Sequence, residues 1–193
     1  NGAYTTYAYD TLNRLTTLTT TGASSTLFSA QYTLDNVGNR TQMVDSEGTT
    51  NYTYDTLYRL TSAAYPDGTN TQYTYEVMGN RTQMTSSVSG TTNYTYDAAD
   101  RLLTAGATAF TWDNNGNQLT KGAMTYQYDV ANRLTQAVNG GTTDQFTYDG
   151  DGKRTRKTIG GTATNYAYDV NATLPIILTE TTSAVTTTYL YGA

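Results

Sequence analysis

The chain has 193 residues, a formal net charge of −5, no histidine and no cysteine, and its 44 threonines make up nearly a quarter of it. Without histidine and cysteine it has no imidazole base, no thiolate nucleophile, no disulfide and no zinc site of the usual nitrogen and sulfur ligands. The excess of acidic over basic residues argues against nucleic-acid binding, and a hydrophobic fraction of 37% argues against a large aliphatic core.

An aromatic-x-aromatic segment followed by an acidic residue recurs along the chain. Ten copies begin at positions 7, 32, 52, 73, 94, 110, 126, 146, 166 and 189, with a period of about 20 residues. The tenth copy, Tyr189-Leu190-Tyr191-Gly192, breaks off. The residues that define the repeat motif are Tyr7, Tyr9, Asp10, Arg14, Tyr32, Asp35, Gly38, Arg40, Tyr52, Tyr54, Asp55, Arg59, Tyr73, Tyr75, Gly79, Arg81, Tyr94, Tyr96, Asp97, Arg101, Trp112, Asp113, Tyr126, Tyr128, Asp129, Arg133, Tyr148, Asp149, Arg154, Tyr166, Tyr168 and Asp169.

Each copy predicts a strand, a turn and a returning strand. The two aromatic residues are two positions apart, so both rings project from one face of a strand and threonine projects from the other. The acidic residue opens a turn, and glycine or asparagine supplies the position that tolerates a positive φ. The chain is therefore predicted to be all-β, an antiparallel hairpin ribbon of roughly 18–20 strands without helices.

The position of the arginine divides the copies into two forms that alternate along the chain. In the short form the arginine comes four residues after the acidic residue and a leucine follows it, as at Arg14, Arg59, Arg101 and Arg133. In the long form it comes five residues after the acidic residue, two after a glycine, as at Arg40, Arg81 and Arg154. Gln118 takes this place in a long-form copy and Thr173 in a short-form copy. We interpret the arginine position of the two forms as one equivalent position that is reached through two types of turn.

The composition indicates how such a ribbon is stabilised. Rings of neighbouring copies are expected to lie in register as a ladder, which would replace the missing aliphatic core. Two partners stay open for the arginine, which either pairs with the aspartate across its turn or lies over a neighbouring ring.

The acidic residues do not form a convincing catalytic or metal site. Asp149 and Asp151 resemble the start of a calcium loop, but Lys153 stands where the third ligand belongs. Asp97 and Asp100 are a carboxylate pair of the kind that glycosidases use, yet the first of them recurs in every copy as a turn former. We therefore predict no catalytic, metal-binding or cofactor-binding residue.

Two runs carry a family resemblance that extends over residues 4–193. The short-form run from Tyr94 to Leu102 and the long-form run from Asp35 to Thr41 resemble the YD repeats of the Rhs family. The resemblance implies a ribbon that spirals into a hollow shell or solenoid, as in Rhs polymorphic toxins, the C components of insecticidal toxin complexes and teneurin shells. Such shells enclose a toxic segment or stand as extracellular scaffolds. The chain has no Asp-Pro dipeptide, so the self-cleavage region of the family is not carried over.

The resulting prediction is a non-enzymatic structural module, a single YD-repeat array over residues 1–193 that belongs to a longer, exported bacterial protein at the cell surface or outside the cell. Its start at Asn1 agrees with a piece of a longer chain. Expected partners are further repeats, copies of itself, an enclosed toxin segment or glycans, with no nucleic acid and no membrane span. Three alternatives stay open: a β-propeller with four strands per blade, a surface module that binds carbohydrate on its tyrosines, and a self-assembling filament subunit.

Overall fold

The computed structural model describes residues 2–191, which contain 19 β-strands and no helix. The chain divides into two compact units, one ending at Gly106 and the other beginning at Ala107. Unit 1 comprises β1 (Tyr4–Tyr9), β2 (Leu15–Thr21), β3 (Thr26–Leu34), β4 (Arg40–Asp45), β5 (Gly48–Tyr54), β6 (Leu60–Ala64), β7 (Asn70–Tyr75), β8 (Arg81–Ser86), β9 (Gly90–Tyr96) and β10 (Leu102–Ala105). Unit 2 comprises β11 (Thr108–Trp112), β12 (Gln118–Lys121), β13 (Met124–Tyr128), β14 (Leu134–Asn139), β15 (Thr142–Tyr148), β16 (Arg154–Ile159), β17 (Thr162–Tyr168), β18 (Ile177–Thr182) and β19 (Val185–Thr188).

Within each unit the strands pair with their neighbours in sequence, and every pair is antiparallel. The predicted all-β hairpin ribbon is confirmed, with one outgoing strand that carries the aromatic pair and one returning strand in each complete copy. The β-propeller alternative is wrong, because β1 to β10 of unit 1 pair in unbroken succession, whereas a propeller blade has four strands. The prediction of a single array over residues 1–193 stays a prediction.

A β-bulge accompanies each turn that follows the aromatic pair. In β5 and β6, Thr53 lies opposite Ser62 whereas Tyr54 lies opposite Leu60, so that Thr61 is an extra residue on the returning strand. The same shift occurs in all nine pairs of outgoing and returning strands. A bulge bends the strand and increases its local twist, and the sequence analysis did not predict it.

The two faces of the sheet differ in exposure. Along β5 the side chains of Tyr52 and Tyr54 are half-buried, while Asn51 and Thr53 between them are exposed. On the exposed face the hydroxyl groups of Thr53 and Thr61 lie 2.9 Å apart, within hydrogen-bonding distance. Buried residues are rare among residues 2–191; in unit 1 they are Ala30, Thr50 and Ala63, and in unit 2 Thr164 and Tyr166. The core is thus thin, as the composition predicted.

The copy that begins at position 166 departs from its predicted form. The Asp169 N–H donates to the carbonyl of Ile176, and the returning strand β18 begins at Ile177. The acceptor lies seven residues after the aspartate, whereas it lies four residues after in the other copies. The prediction that Thr173 takes the place of the short-form arginine is therefore wrong. Pro175 has no N–H for a strand ladder, so the returning strand begins only after it. Gly192 of the tenth copy lies outside the described residues.

The stacked turns as candidate functional site

Both forms of the repeat make the same turn. In the short form the Asp10 N–H donates to the Arg14 carbonyl and the Asn13 N–H to the Asp10 carbonyl, both at 3.0 Å, and Asn13 has a φ of 59°. In the long form Asp35 takes the place of Asp10, and Gly38 takes that of Asn13 with a φ of 100°. This is a type I turn followed by a left-handed residue, which closes a three-residue hairpin loop. The prediction of two types of turn is wrong.

The arginine therefore occupies two different positions rather than one. In the short form it stands at the fourth position after the acidic residue and ends the turn. In the long form the fourth position holds Asn39, Asn80, Asn117 or Lys153, and the arginine comes one residue later. Arg40, Arg81 and Arg154 are each the first residue of a returning strand.

The carboxylate of the motif aspartate closes the short-form turn. Oδ1 of Asp55 accepts the N–H groups of Leu57 and Arg59 at 2.8 and 3.0 Å, and its Oδ2 accepts the Nε–H of Arg59 at 2.7 Å. The backbone hydrogen bond from Arg59, aided by that from its side chain, lowers the pKa of Asp55 below its ordinary value. The pKa values of Asp10, Asp97 and Asp129 are lowered in the same way by Arg14, Arg101 and Arg133. These contacts confirm that the aspartate is a turn former.

The lowered pKa values predict a loss of stability in acid. Because the folded-state pKa of these aspartates lies below the unfolded value of about 3.9, their contribution is fully present above pH 5 or so. It is lost as the pH falls through 4 toward the folded pKa. We expect Asp55→Asn to lower the urea midpoint at pH 7 and to reduce the further fall between pH 5 and pH 2. Asp151→Asn, at an exposed turn position, is the control. Parallel pH profiles for wild type and Asp55→Asn would contradict the assignment.

The short-form arginine also reaches the turn of the next copy. Nη1 of Arg59 donates to the Glu76 carbonyl at 2.9 Å, and its guanidinium lies 4.8 Å from the ring centre of Tyr75. Arg14 makes the same contact, since its Nη1 donates to the carbonyl of Asp35 in the next copy at 2.8 Å. The arginine thus uses both partners that the sequence analysis left open, the aspartate of its own turn and a neighbouring ring.

The long-form arginine packs mainly against rings. The guanidinium of Arg81 lies between two first aromatics of successive copies, 5.5 Å from the ring centre of Tyr73 and 4.5 Å from that of Tyr94. Arg154 lies between Phe146 and Tyr166 at 5.8 and 5.3 Å. At these places the predicted ladder of rings includes a cation between one ring and the next, which adds a favourable electrostatic interaction to the packing.

In several copies the second tyrosine bonds to the preceding copy. The Tyr75 hydroxyl donates to the Leu60 carbonyl at 2.7 Å, and the Tyr96 hydroxyl donates to the Arg81 carbonyl at 2.9 Å. In each case the acceptor is the first residue of the preceding returning strand. The same bond is made by the hydroxyl groups of Tyr54, Tyr148, Tyr168 and Tyr191.

The asparagines at the fourth position of the long form were missed by the sequence analysis. Nδ2 of Asn80 donates to Asp100 Oδ1 at 2.8 Å in the next turn, and Nδ2 of Asn117 donates to Asn132 Oδ1 at 2.8 Å. Asn80 and Asn117 thus each link a long-form turn to the short-form turn that follows it. The short-form arginine links its own turn to the following long-form turn in the same way. The signal was present, because asparagine stands at this position in three of the four long-form copies.

The carboxylates that might have formed other sites are used in the turns. Oδ1 of Asp149 accepts the N–H groups of Asp151 and Lys153 at 3.0 and 2.8 Å, which is the bonding of a turn. The Asp97 carboxylate is paired with Arg101, and Asp100 accepts from Asn80. Among residues 2–191 no group of three or more acidic side chains is placed to hold a metal ion, and that range contains no helix able to cross a membrane.

Comparison with known proteins identifies a family and solved structures with a similar fold. Residues 2–193 match the family model described as the teneurin YD-shell. The Photorhabdus luminescens Tc holotoxin pore with a mutated TccC3 shares 20% identity at a TM-score of 0.64, over 93% of this chain and 12% of its own. Crystal structures of TcdB2-TccC3 and of TcdB2-TccC3-Cdc42 each share 21% identity, over 95% of this chain and 12% of theirs, with TM-scores of 0.65 and 0.66. No curated protein sequence matches the chain.

Proposed function

Because this chain belongs to the teneurin YD-shell family, we propose that it forms part of the wall of a hollow β-shell that encloses a toxic segment of the same, longer polypeptide. The observation that carries the proposal is the set of bonds between successive copies, in which arginine, asparagine and tyrosine each reach a neighbouring copy. A sheet bonded in this way at its turns and on its face can extend by adding copies. The chain spans about an eighth of the length of the solved structures it resembles, which supports a larger whole.

The wall performs no chemistry of its own under this proposal. Four of the motif aspartates are paired with arginine inside their turns, so these carboxylates serve structure. An exported protein that acts outside the producing cell fits both the family and the Tc holotoxin fold.

The two alternative functions stay predictions. A carbohydrate surface would need open ring faces at Tyr52, Tyr73 and Tyr94, yet Arg81 lies over the last two of these rings. A concavity of about 310 Å³ lies beside β3 and β4 and is lined in part by Phe28 and Asp45. A filament would need contacts between copies of the chain.

The proposal is tested by protease protection of the enclosed segment. The full polypeptide that contains residues 1–193 is digested with trypsin, and fragments of its C-terminal segment are followed by mass spectrometry. We expect this segment to survive at least tenfold longer inside the intact polypeptide than when it is expressed alone. Equal rates of cleavage in the two forms would overturn the proposal. Cleavage at Lys and Arg of the wall is monitored in the same samples, as a control for loss of the wall itself.

A further inference from the structure

We propose that an extended peptide with a basic amino end binds as an added strand along the first half of β3. This part of β3, residues 26–30, projects beyond the end of β4 and is called the ledge. The copies at positions 7 and 32 are 25 residues apart, the largest spacing in the chain, and the extra residues lengthen the hairpin of β2 and β3. These strands contain seven and nine residues, whereas β4 contains six.

The ledge has a strand partner on one side and none on the other. On the β2 side the pairing continues as far as Thr26. On the β4 side it stops at Gln31, which lies opposite Val44, because β4 ends at Asp45 and turns into β5. Within the described part of unit 1, no strand therefore pairs with the ledge on the β4 side.

The backbone of Ser29 faces this open side. The Asp35 N–H donates to the Asn39 carbonyl at 2.9 Å across the turn between β3 and β4, so the backbone of Asp35 faces β4. Backbone groups alternate between the two sides of an antiparallel strand, so those of residues 33, 31 and 29 face the same way. The N–H and C=O of Ser29 thus lie at a free strand edge. An added strand satisfies both with a pair of hydrogen bonds.

The ledge also borders the concavity of about 310 Å³. The lining includes Leu27, Phe28 and Ser29 of the ledge and Val44, Asp45 and Ser46 at the end of β4. Leu27, Phe28 and Val44 are 63%, 44% and 36% exposed, so apolar side chains of an added strand find contacts here. The volume is at the lower end of ligand pockets, and the free backbone beside it selects an extended peptide as the ligand.

The end of the ledge next to β4 is acidic. Asp45 and Glu47 stand at the turn between β4 and β5, and Asp67 stands in the turn between β6 and β7. These turns lie together, since a Cβ on Gly48 would be 2.7 Å from Cβ of Pro66. Unit 1 has no lysine, and its arginines all stand at the motif turns, at the opposite ends of the strands. Three carboxylates without a basic residue favour a positively charged partner.

The charge also specifies the direction of the bound peptide. Every strand pair in unit 1 is antiparallel, and an antiparallel partner of the ledge runs in the direction of β4. The amino end of the peptide then lies beside Asp45 and Glu47, and its carboxyl end lies beside Thr26. A second copy of the chain, joined ledge to ledge, is disfavoured because it would bring a second acidic edge to the same place.

Amide hydrogen exchange of the full chain, followed by NMR, tests the proposal. The probe is the synthetic peptide Arg-Lys-Val-Thr-Val-Thr with an amidated carboxyl end. One control is the reversed peptide, Thr-Val-Thr-Val-Lys-Arg, acetylated at its amino end and amidated at its carboxyl end. The other is Arg-Lys-Pro-Thr-Pro-Thr, which keeps the charge but lacks N–H groups that a strand ladder needs. The exchange rate is read at Ser29, with the Ala30 N–H, which faces β2, as the internal control.

We expect a saturating concentration of the probe to slow exchange at Ser29 at least tenfold and to leave Ala30 unchanged. Glu47→Gln should weaken the binding of the probe about threefold, the effect of one exposed charge pair. Asp151→Asn, which removes an exposed turn carboxylate of unit 2, should leave the binding unchanged. Raising the salt concentration should weaken binding of the probe to the wild-type chain.

Equal protection of Ser29 by the probe and by the proline peptide would overturn the proposal, because it would reduce the contact to charge attraction. Equal protection by the reversed peptide would overturn the direction. Protection of Ser29 in chain dimers without peptide would assign the ledge to a second copy and would also overturn the proposal. The test needs no enclosed segment, so its outcome is independent of the protease experiment on the proposed function.

Discussion

Gly48→Ala is expected to destabilise unit 1 by about 3 kcal/mol or more, as measured by urea unfolding followed by circular dichroism. Gly48 begins β5 and has a φ of 125°, a conformation that residues with a Cβ rarely adopt. An alanine Cβ there would lie 2.7 Å from Cβ and 3.2 Å from Cγ of Pro66. The proline ring is rigid, so the clash moves either the start of β5 or the turn between β6 and β7.

Gly68→Ala is the matched control for this prediction. Gly68 lies in the same unit with a φ of 83°, and no atom lies within 4 Å of the Cβ position. Its substitution carries only the strain of a left-handed residue, about 1–2 kcal/mol. The difference between the two variants reports the contact with Pro66 together with the larger φ of Gly48. Equal losses of stability would mean that this contact has no energetic weight.

The elements that the sequence predicted correctly are those determined by neighbouring residues. Tyr52-Thr53-Tyr54 alternates with a period of two, and the acidic residue with its downstream asparagine or glycine is a local turn signal. The strands, the hairpins and the alternation of forms follow from such signals. The same reasoning treated the shift of the arginine from the fourth to the fifth position as a change in the type of turn. The backbone hydrogen bonds show that the turn is constant and that the side chain has moved.

The features that escaped prediction depend on geometry across strands or on unusual backbone conformations. The bulge at Thr61 is a property of two paired strands, and nothing in the residue itself distinguishes it from other threonines. Tyr58 has a φ of 62°, where glycine or asparagine would be expected. At the copy that begins at position 166, Thr173 fits the short-form pattern, and only Pro175 signals that the strand starts later.

The two arginine positions explain why the pattern repeats over two copies. The short-form arginine ends its turn, so its guanidinium reaches the carbonyl of the next turn, as in Arg59 with Glu76. The long-form arginine begins a strand, so it packs among the rings, as Arg81 does. Asparagine at the fourth position of the long form makes the turn contact that its arginine no longer makes. A pair of copies is therefore the smallest unit that contains every contact between neighbours.

Arg133→Ala is the second substitution with a large expected effect. Nη1 of Arg133 donates to the Asp149 carbonyl at 2.9 Å, and the guanidinium lies 5.0 Å from the ring centre of Tyr148. A charge-assisted hydrogen bond and a cation–π contact together predict a loss of about 2 kcal/mol in the stability of unit 2. The pair that Arg133 Nε forms with Asp129 at 2.7 Å is lost as well. Urea unfolding followed by tyrosine fluorescence measures the change.

Arg156→Ala in the same unit removes an arginine whose side chain is exposed in β16, and it should change stability by about 0.5 kcal/mol or less. Arg133→Lys separates charge from geometry. Lysine keeps the positive charge near Asp129 but lacks the planar group that bonds its own turn and the next at the same time. We therefore expect Arg133→Lys to lose most of the stability that Arg133→Ala loses. If lysine restored full stability, charge alone would account for the contact, and the link from turn to turn through Nη1 would carry no weight.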